Sequence, residues 1–421
     1  MLLVLFAVPA TAAEAPELNA KSAIVINLET GKTVFEKAAD EEVSPSASVK
    51  MLTALTVVEL VEDLKTPVTV TKSALRNTEG KTVGLKENEV LPAEDLLACL
   101  VVASANDAAS VLAEHAAGSI SEFMNKANQL AQKLGCTHTH FSNPHGLDDS
   151  NHYTTARDMG LIAVAFAKNE TLLKLSSTPR VTIAATEKSA ERLLTTGNHL
   201  ISRYINANYY YSPAQGMCSG MTTKGGYVAA SMVSKNGLSY VAVVMGASKS
   251  EDGLIQSFVD LKNLFEWVVP AFEMKTVVTE NSPIEEINVK FSATNDHIML
   301  VPQNEIKALL PTDMDPSKLT RETETGGTVE APVEKGQVLG SAVYFYDGER
   351  IGSVNLVANT AIERSEVLHF IDKLSTFMQN SVVVGGMIAL VALLFIYIVL
   401  TIVHSSRRKR NNRRRRRRPR Y

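Results

Sequence analysis

At 421 residues, with 45% apolar and 21% charged side chains, the chain is too long for one ordinary core and too apolar to be disordered, so two domains with appendages are expected. The formal charge of -3 conceals an asymmetry: residues 407–421 carry eleven Lys or Arg and no acid, and without them 31 basic side chains face 45 acidic ones, a balance of -14. Such a body argues against nucleic-acid binding, and three widely spaced cysteines, Cys99, Cys136 and Cys218, argue against a disulfide framework or a zinc cluster.

Met1 to Val8 is an apolar run leading into Ala10-Thr11-Ala12-Ala13, which reads as a secretory signal over residues 1–13. A first buried strand is the alternative, and a basic start is lacking. Ala23 to Leu28 and Thr33 to Phe35 read as two strands joined at Glu29-Thr30-Gly31-Lys32. Helical periodicity predicts helices from Ser48 to Glu62, from Ala93 to Ala116, from Ser121 to Leu134, and from Thr154 to Ala167 with Thr154 as cap. Val228 to Val233 and Tyr240 to Met245 read as strands, and Asp252 opens a helix to Trp267. The implied unit, over residues 18–272, is α/β: an antiparallel sheet flanked by helices.

Pro270 and the stretch to Pro283 close that unit. Short alternating runs follow, Ile284 to Phe291, Val338 to Tyr346 and Ile351 to Leu356, and predict a small all-β domain over residues 275–362. Residues 363–380 form an amphipathic stalk with Val367, Phe370, Ile371, Leu374 and Phe377 on one stripe. Val382 to Val403 is uncharged for 22 residues, about 33 Å as a helix and enough to cross a bilayer. The basic tail, residues 404–421, then marks the cytoplasmic side and attracts anionic lipid, placing the body outside the cell.

Three ordered patterns carry a family resemblance: Ser104-Ala105-Asn106-Asp107-Ala108-Ala109; the segment from His140-Phe141-Ser142-Asn143-Pro144-His145-Gly146-Leu147 to His152-Tyr153-Thr154-Thr155-Ala156-Arg157-Asp158-Met159; and Ala331-Pro332-Val333-Glu334-Lys335-Gly336-Gln337. Together they resemble the D-alanyl-D-alanine carboxypeptidases, the low-molecular-mass penicillin-binding proteins of β-lactamase-like fold, from about Ser22 to Thr360. The resemblance implies acyl transfer on peptidoglycan stem peptides without a cofactor or metal. A serine at a helix start attacks, a lysine one turn later takes its proton, a Ser-x-Asn box lines the cleft, and a Lys-Thr-Gly strand holds the substrate carboxylate beside an oxyanion hole.

Two departures stand out. The Pro-Ala-Ser-x-x-Lys motif is here Pro45-Ser46-Ala47-Ser48-Val49-Lys50, so Ala47 occupies the nucleophile's position, and the Lys-Thr-Gly motif is Cys218-Ser219-Gly220. Lys50, Ser104 and Asn106 are the surviving catalytic candidates, and Cys218, Ser219, Gly220 and Met221 the substrate-binding ones, with the amides of Ala47 and Met221 as oxyanion donors by analogy. Ser46, four residues before Lys50, is the substitute nucleophile to weigh, because that spacing puts two side chains on one helical face. Ser48 is turned away, and nothing identifies an activating neighbour for Cys218. Without its serine, Lys50 is expected as a cleft cation paired with Ser104 or Asn106. His145 and His152 are expected to be structural, and Asp148-Asp149 a solvated turn.

Three functions follow: a homologue that receives muropeptide ends, and β-lactams weakly, with little or no turnover; an active carboxypeptidase using Ser46 with Lys50; or an envelope scaffold with a vestigial cleft.

Overall fold

The computed structural model describes residues 14–76 and 78–415, with side chains to Arg408. The signal segment expected at residues 1–13 and the end of the basic tail lie outside the described residues. The chain divides into two compact units, Met1–Glu273 with Leu309–Met314, and Met274–Ala308 with Asp315–Tyr421.

The first unit is built on a five-stranded antiparallel sheet. Strands β1 (Ser22–Asn27) and β2 (Thr33–Lys37) form the expected hairpin; β3 (Pro67–Thr69) with β4 (Val90–Pro92), and β5 (Arg180–Ile183) with β6 (Arg192–Thr195), are small separate hairpins. β7 (Ala214–Thr222), β8 (Gly226–Lys235) and β9 (Leu238–Ala247) complete the sheet in the order β2-β1-β9-β8-β7. Along β9, Val241, Val243 and Met245 enter one core while Tyr240, Ala242 and Val244 enter another. Strand side chains alternate between faces, so a strand covered on both reads as one unbroken apolar run.

On the first face pack α1 (Val49–Leu60), α2 (Ala93–Val101), α3 (Asn106–Ala117), α4 (Ile120–Lys133), α5 (Ala156–Lys168) and α6 (Glu170–Ser176), contributing Leu52, Leu97, Leu112, Phe123, Phe166 and Leu172 to the larger core. On the other, α7 (Gln256–Ala271) buries Phe258, Leu261, Leu264 and Phe265. Helix α5 runs so close to β1 that a Cβ on Gly160 would lie 2.9 Å from Ile26 Cδ1.

Several expected boundaries shift. The single helix predicted from Ala93 to Ala116 is two, because Ser104 takes a left-handed backbone (φ 57°) that no helix tolerates. The cap of α5 is Thr155, whose hydroxyl accepts from the Asp158 N–H at 3.1 Å, not Thr154. The helix predicted from Asp252 starts at Gln256, after a turn closed by Ser250 and Leu254, and carries Pro270 inside its last turn.

The chain continues through β10 (Phe272–Val278). In the second unit, β11 (Glu285–Lys290) and β12 (His297–Pro302) come before β13 (Ile306–Pro311), whose last three residues belong to the first unit, and β14 (Leu319–Thr325), β15 (Thr328–Glu330), β16 (Val338–Tyr346) and β17 (Glu349–Ala358) come after it. Six of them form a sheet in the order β14-β16-β17-β12-β11-β15 over a core that includes Ile287, Ile298, Leu300, Ala342 and Leu356. Helix α8 (Glu366–Gln379), capped by Ser365, leaves Val367, Phe370, Ile371, Leu374 and Phe377 exposed. In α9 (Ser381–Arg415), the 28 residues Ser381–Arg408 are long and apolar enough to cross a membrane.

Candidate active site

The segment that carries the surviving lysine is held from both sides. Val43 exchanges backbone hydrogen bonds with Thr154 (2.8 and 3.0 Å), and His140 exchanges them with Tyr153, which sets residues 44–50 beside 144–147. The approach is close: a Cβ on Gly146 would overlap the Ser46 carbonyl. At the start of α1, Lys50 is 6% exposed and donates its ammonium to the His145 carbonyl at 2.7 Å, and one turn on, Thr53 donates to the Pro144 carbonyl at 2.7 Å.

Residues 45–50 therefore form one wall of a cavity of about 300 Å³, lined by Ala47, Lys50, Ser104, Asn106, Ser219, Gly220 and Met221 among others. Every position singled out in the two altered motifs and the Ser-x-Asn box borders this cavity except Ser46, Ser48 and Cys218. A smaller void of about 10 Å³ is bounded by Lys50, Ser104, Met217 and Cys218, so the thiol sits behind the wall. Strand β7 comes so near α1 that a Cβ on Gly220 would overlap the Ala47 methyl, the group found where the resemblance puts a hydroxyl.

Ser46 faces another way. It is fully buried with a left-handed backbone (φ 50°), and a Cβ on Gly225 would lie 2.9 Å from its own Cβ. Its hydroxyl has no hydrogen-bond partner among the described residues. Ser48 donates to the Pro45 carbonyl at 2.6 Å.

The expected pairing of Lys50 with Ser104 or Asn106 is not made, because the nearer acceptor is a carbonyl brought from 95 residues along the chain. Asn106 instead donates through Nδ2 to the Glu79 carbonyl at 2.6 Å and through its backbone N–H to the Lys81 carbonyl at 2.7 Å. Ser219 donates to the Gly197 carbonyl at 2.6 Å. His152 accepts from the Ser142 N–H at 3.0 Å, and Asp148, though exposed, is more than a solvated turn: it accepts from the Lys224 N–H at 2.9 Å and from Ser44 at 3.1 Å.

Burial sets the protonation of the site. It pushes Lys50 down to about 7, with the Lys81 ammonium acting in the same direction. It pushes the Cys218 thiol up to about 12 despite the neighbouring lysine, so the thiol is uncharged at neutral pH and unsuited to attack. It holds the His145 ring down to about 3, helped by Lys50. A lysine near neutrality is the protonation state a general base requires.

Sequence reading missed Lys81, Thr196, Gly197 and His199, all of which line the cavity. A single lysine in a loop has no periodic or motif signal, and its place follows only from tertiary structure.

A mixed helix-and-sheet unit with a lysine in the first turn of α1, set beside a glycine-bearing strand at a cleft, is the penicillin-binding, β-lactamase-like fold that the sequence resemblance implies. The sequence profile of the D-alanyl-D-alanine carboxypeptidases matches residues 9–249, and that of the penicillin-binding protein 5 C-terminal domain matches residues 272–364. The chain belongs to the D-alanyl-D-alanine carboxypeptidase family. It is 26% identical over 358 residues to D-alanyl-D-alanine carboxypeptidase DacF of Bacillus subtilis, covering 84% of this chain and 89% of that one. To DacA of Haemophilus influenzae it is 29% identical over 369 residues, covering 81% and 84%. The crystal structure of penicillin binding protein 5 from Haemophilus influenzae superposes with a TM-score of 0.62 at 26% identity, over 84% of this chain and 100% of the other.

Proposed function

We propose that this chain is a D-alanyl-D-alanine carboxypeptidase homologue whose cleft receives the D-alanine ends of peptidoglycan stem peptides and turns them over slowly or not at all. The observation that carries the reading is the Ala47 methyl set against Gly220 on the cavity wall, one helical turn from a buried Lys50. In this reading Lys50 is a base without a nucleophile to deprotonate. Ser104 and Asn106 shape the wall, and Ser219, Gly220 and Met221 border the peptide. In a well-studied hydrolase, loss of the nucleophilic serine costs roughly a millionfold in rate.

The placement of Ser46 supports this reading over one in which Ser46 attacks, since its side chain is fully buried beside Gly225 and does not border the cavity. The apolar α9, with its basic end, is read as a tether that keeps the body on the extracytoplasmic face and its tail in the cytoplasm.

Intact-mass measurement after incubation with a labelled β-lactam tests the proposal. The expected result is no covalent adduct on the natural chain and a stable adduct on Ala47→Ser. A stoichiometric adduct on the natural chain would overturn it.

A further inference from the structure

We propose that Lys81 is the anion-recognising residue of this cleft, holding the terminal carboxylate of a peptide beside Ser219. The proposal rests on the reading that the cleft receives stem-peptide ends.

The first observation is charge. The cavity has two lysines in its lining, Lys50 and Lys81, and no carboxylate among its described lining residues. In a body whose acids outnumber its bases, a cleft of this composition selects an anion. Of the two cations, Lys50 is already engaged, its ammonium donated to the His145 carbonyl. No hydrogen bond or ion pair forms from the Lys81 ammonium to any described residue.

The second observation is position. The Lys81 Nζ lies 3.4 Å, and the Ser219 Oγ 3.1 Å, from the point a Cβ on Gly197 would occupy. The ammonium and the hydroxyl thus converge over Gly197, and all three residues line the cavity that would hold a ligand. The residue is solvent-exposed, yet enough protein surrounds its ammonium to lower its pKa by burial. A bound carboxylate compensates that desolvation with a charge-assisted hydrogen bond and favours the protonated amine.

The third is preorganisation. The loop bearing Lys81 is tied at successive points: the Glu79 and Lys81 carbonyls accept from Asn106, the Val83 and Leu85 N–H groups donate to the Asp107 carboxylate at 3.0 to 3.2 Å, and Arg192 donates to the Val83 carbonyl at 3.0 Å. Arg192 is itself fixed by a two-pronged pair with the buried Glu89, at 2.8 and 2.9 Å. With the backbone of the loop already fixed, the ordering cost of binding is limited to the Lys81 side chain itself. Strand β7 lines the cavity with Ser219, Gly220, Met221 and Thr222, none of them a cation, so the charge reaches it from the loop bearing Lys81.

The test is calorimetric titration of the full-length chain in detergent with diacetyl-Lys-D-Ala-D-Ala and with the same peptide as its C-terminal amide. The natural chain is expected to bind the acid on the order of tenfold more tightly than the amide, a difference typical of one charge-assisted contact. Lys81→Met is expected to bind the two within about twofold of each other, and Lys81→Arg to keep the preference. An unchanged thermal midpoint shows that Lys81→Met is folded. A preference for the acid that survives in Lys81→Met overturns the assignment of Lys81 alone. Failure of the natural chain to bind either peptide overturns the functional reading and this inference with it.

Discussion

The two walls of the cleft differ in what they retain. The helical wall holds a buried Lys50, two left-handed serine backbones at Ser46 and Ser104, and Asn106 bracing the loop opposite. The strand wall keeps its shape, with Gly220 against Ala47 and Ser219 bonded to the Gly197 carbonyl, but carries an uncharged thiol at Cys218. Strained non-glycine backbone costs about 1–3 kcal/mol per residue and persists only where the surroundings impose it. The difference teaches that the shape of such a site rests on many contacts, whereas its reactivity rests on a few atoms that can change without disturbing that shape.

The largest expected effect separates shape from reactivity on the helical wall. Ala47→Ser is expected to take β-lactam acylation from undetectable to complete by intact mass, and an unreactive Ala47→Ser would show that the wall has lost more than one oxygen. On the strand wall, adding Cys218→Lys to Ala47→Ser is expected to raise the acylation rate by roughly ten- to a hundredfold, the range set by one charge-assisted contact in a transition state. No change in rate would show that a second cation in addition to Lys81 adds nothing in the transition state.

A smaller effect concerns pH. Folded Lys50 titrates near 7 and the same side chain in the unfolded chain near 10.5, so between these values the unfolded chain binds more protons and stability rises with pH. Below pH 7 the cost of the buried charge is present in full. Cys218 opposes the trend above its ordinary value of 9.0, which leaves about pH 7 to 8.5 as the clear window. Urea midpoints of the natural chain relative to Lys50→Met should rise across that window; a constant difference would place Lys50 at its ordinary pKa.

The smallest effect is at Ser46. Ser46→Ala in the Ala47→Ser background is expected to leave acylation unchanged and to hold or slightly raise the thermal midpoint, because a buried unsatisfied hydroxyl is removed. A drop in acylation of tenfold or more would show that Ser46 reaches the reacting atoms.

Much of the fold was legible because burial on both faces writes itself into β8 and β9 as continuous apolar runs, and because α4 and α5 have apolar stripes of helical period. The break at Ser104 was not, since a left-handed backbone at a serine leaves no compositional trace. At the site, residue order located Ala47, Lys50, Ser104 and Asn106 on one cavity, but the partner of Lys50 is a backbone carbonyl, which any residue supplies. Lys81 was invisible for a related reason: its place over Gly197 depends on ties to Asn106, Asp107 and Arg192 that lie 25 to 111 positions away in sequence.

The bare glycine at 220 has a consequence for how this protein can change. With no side chain on the strand to displace, an added atom on residue 47 has open cavity to rotate into, and the backbone on either side need not move. Position 47 can therefore gain an oxygen on its cavity side while the contact with Gly220 stays as it is, so the proposed silence of the cleft is open to reversal at a single side chain.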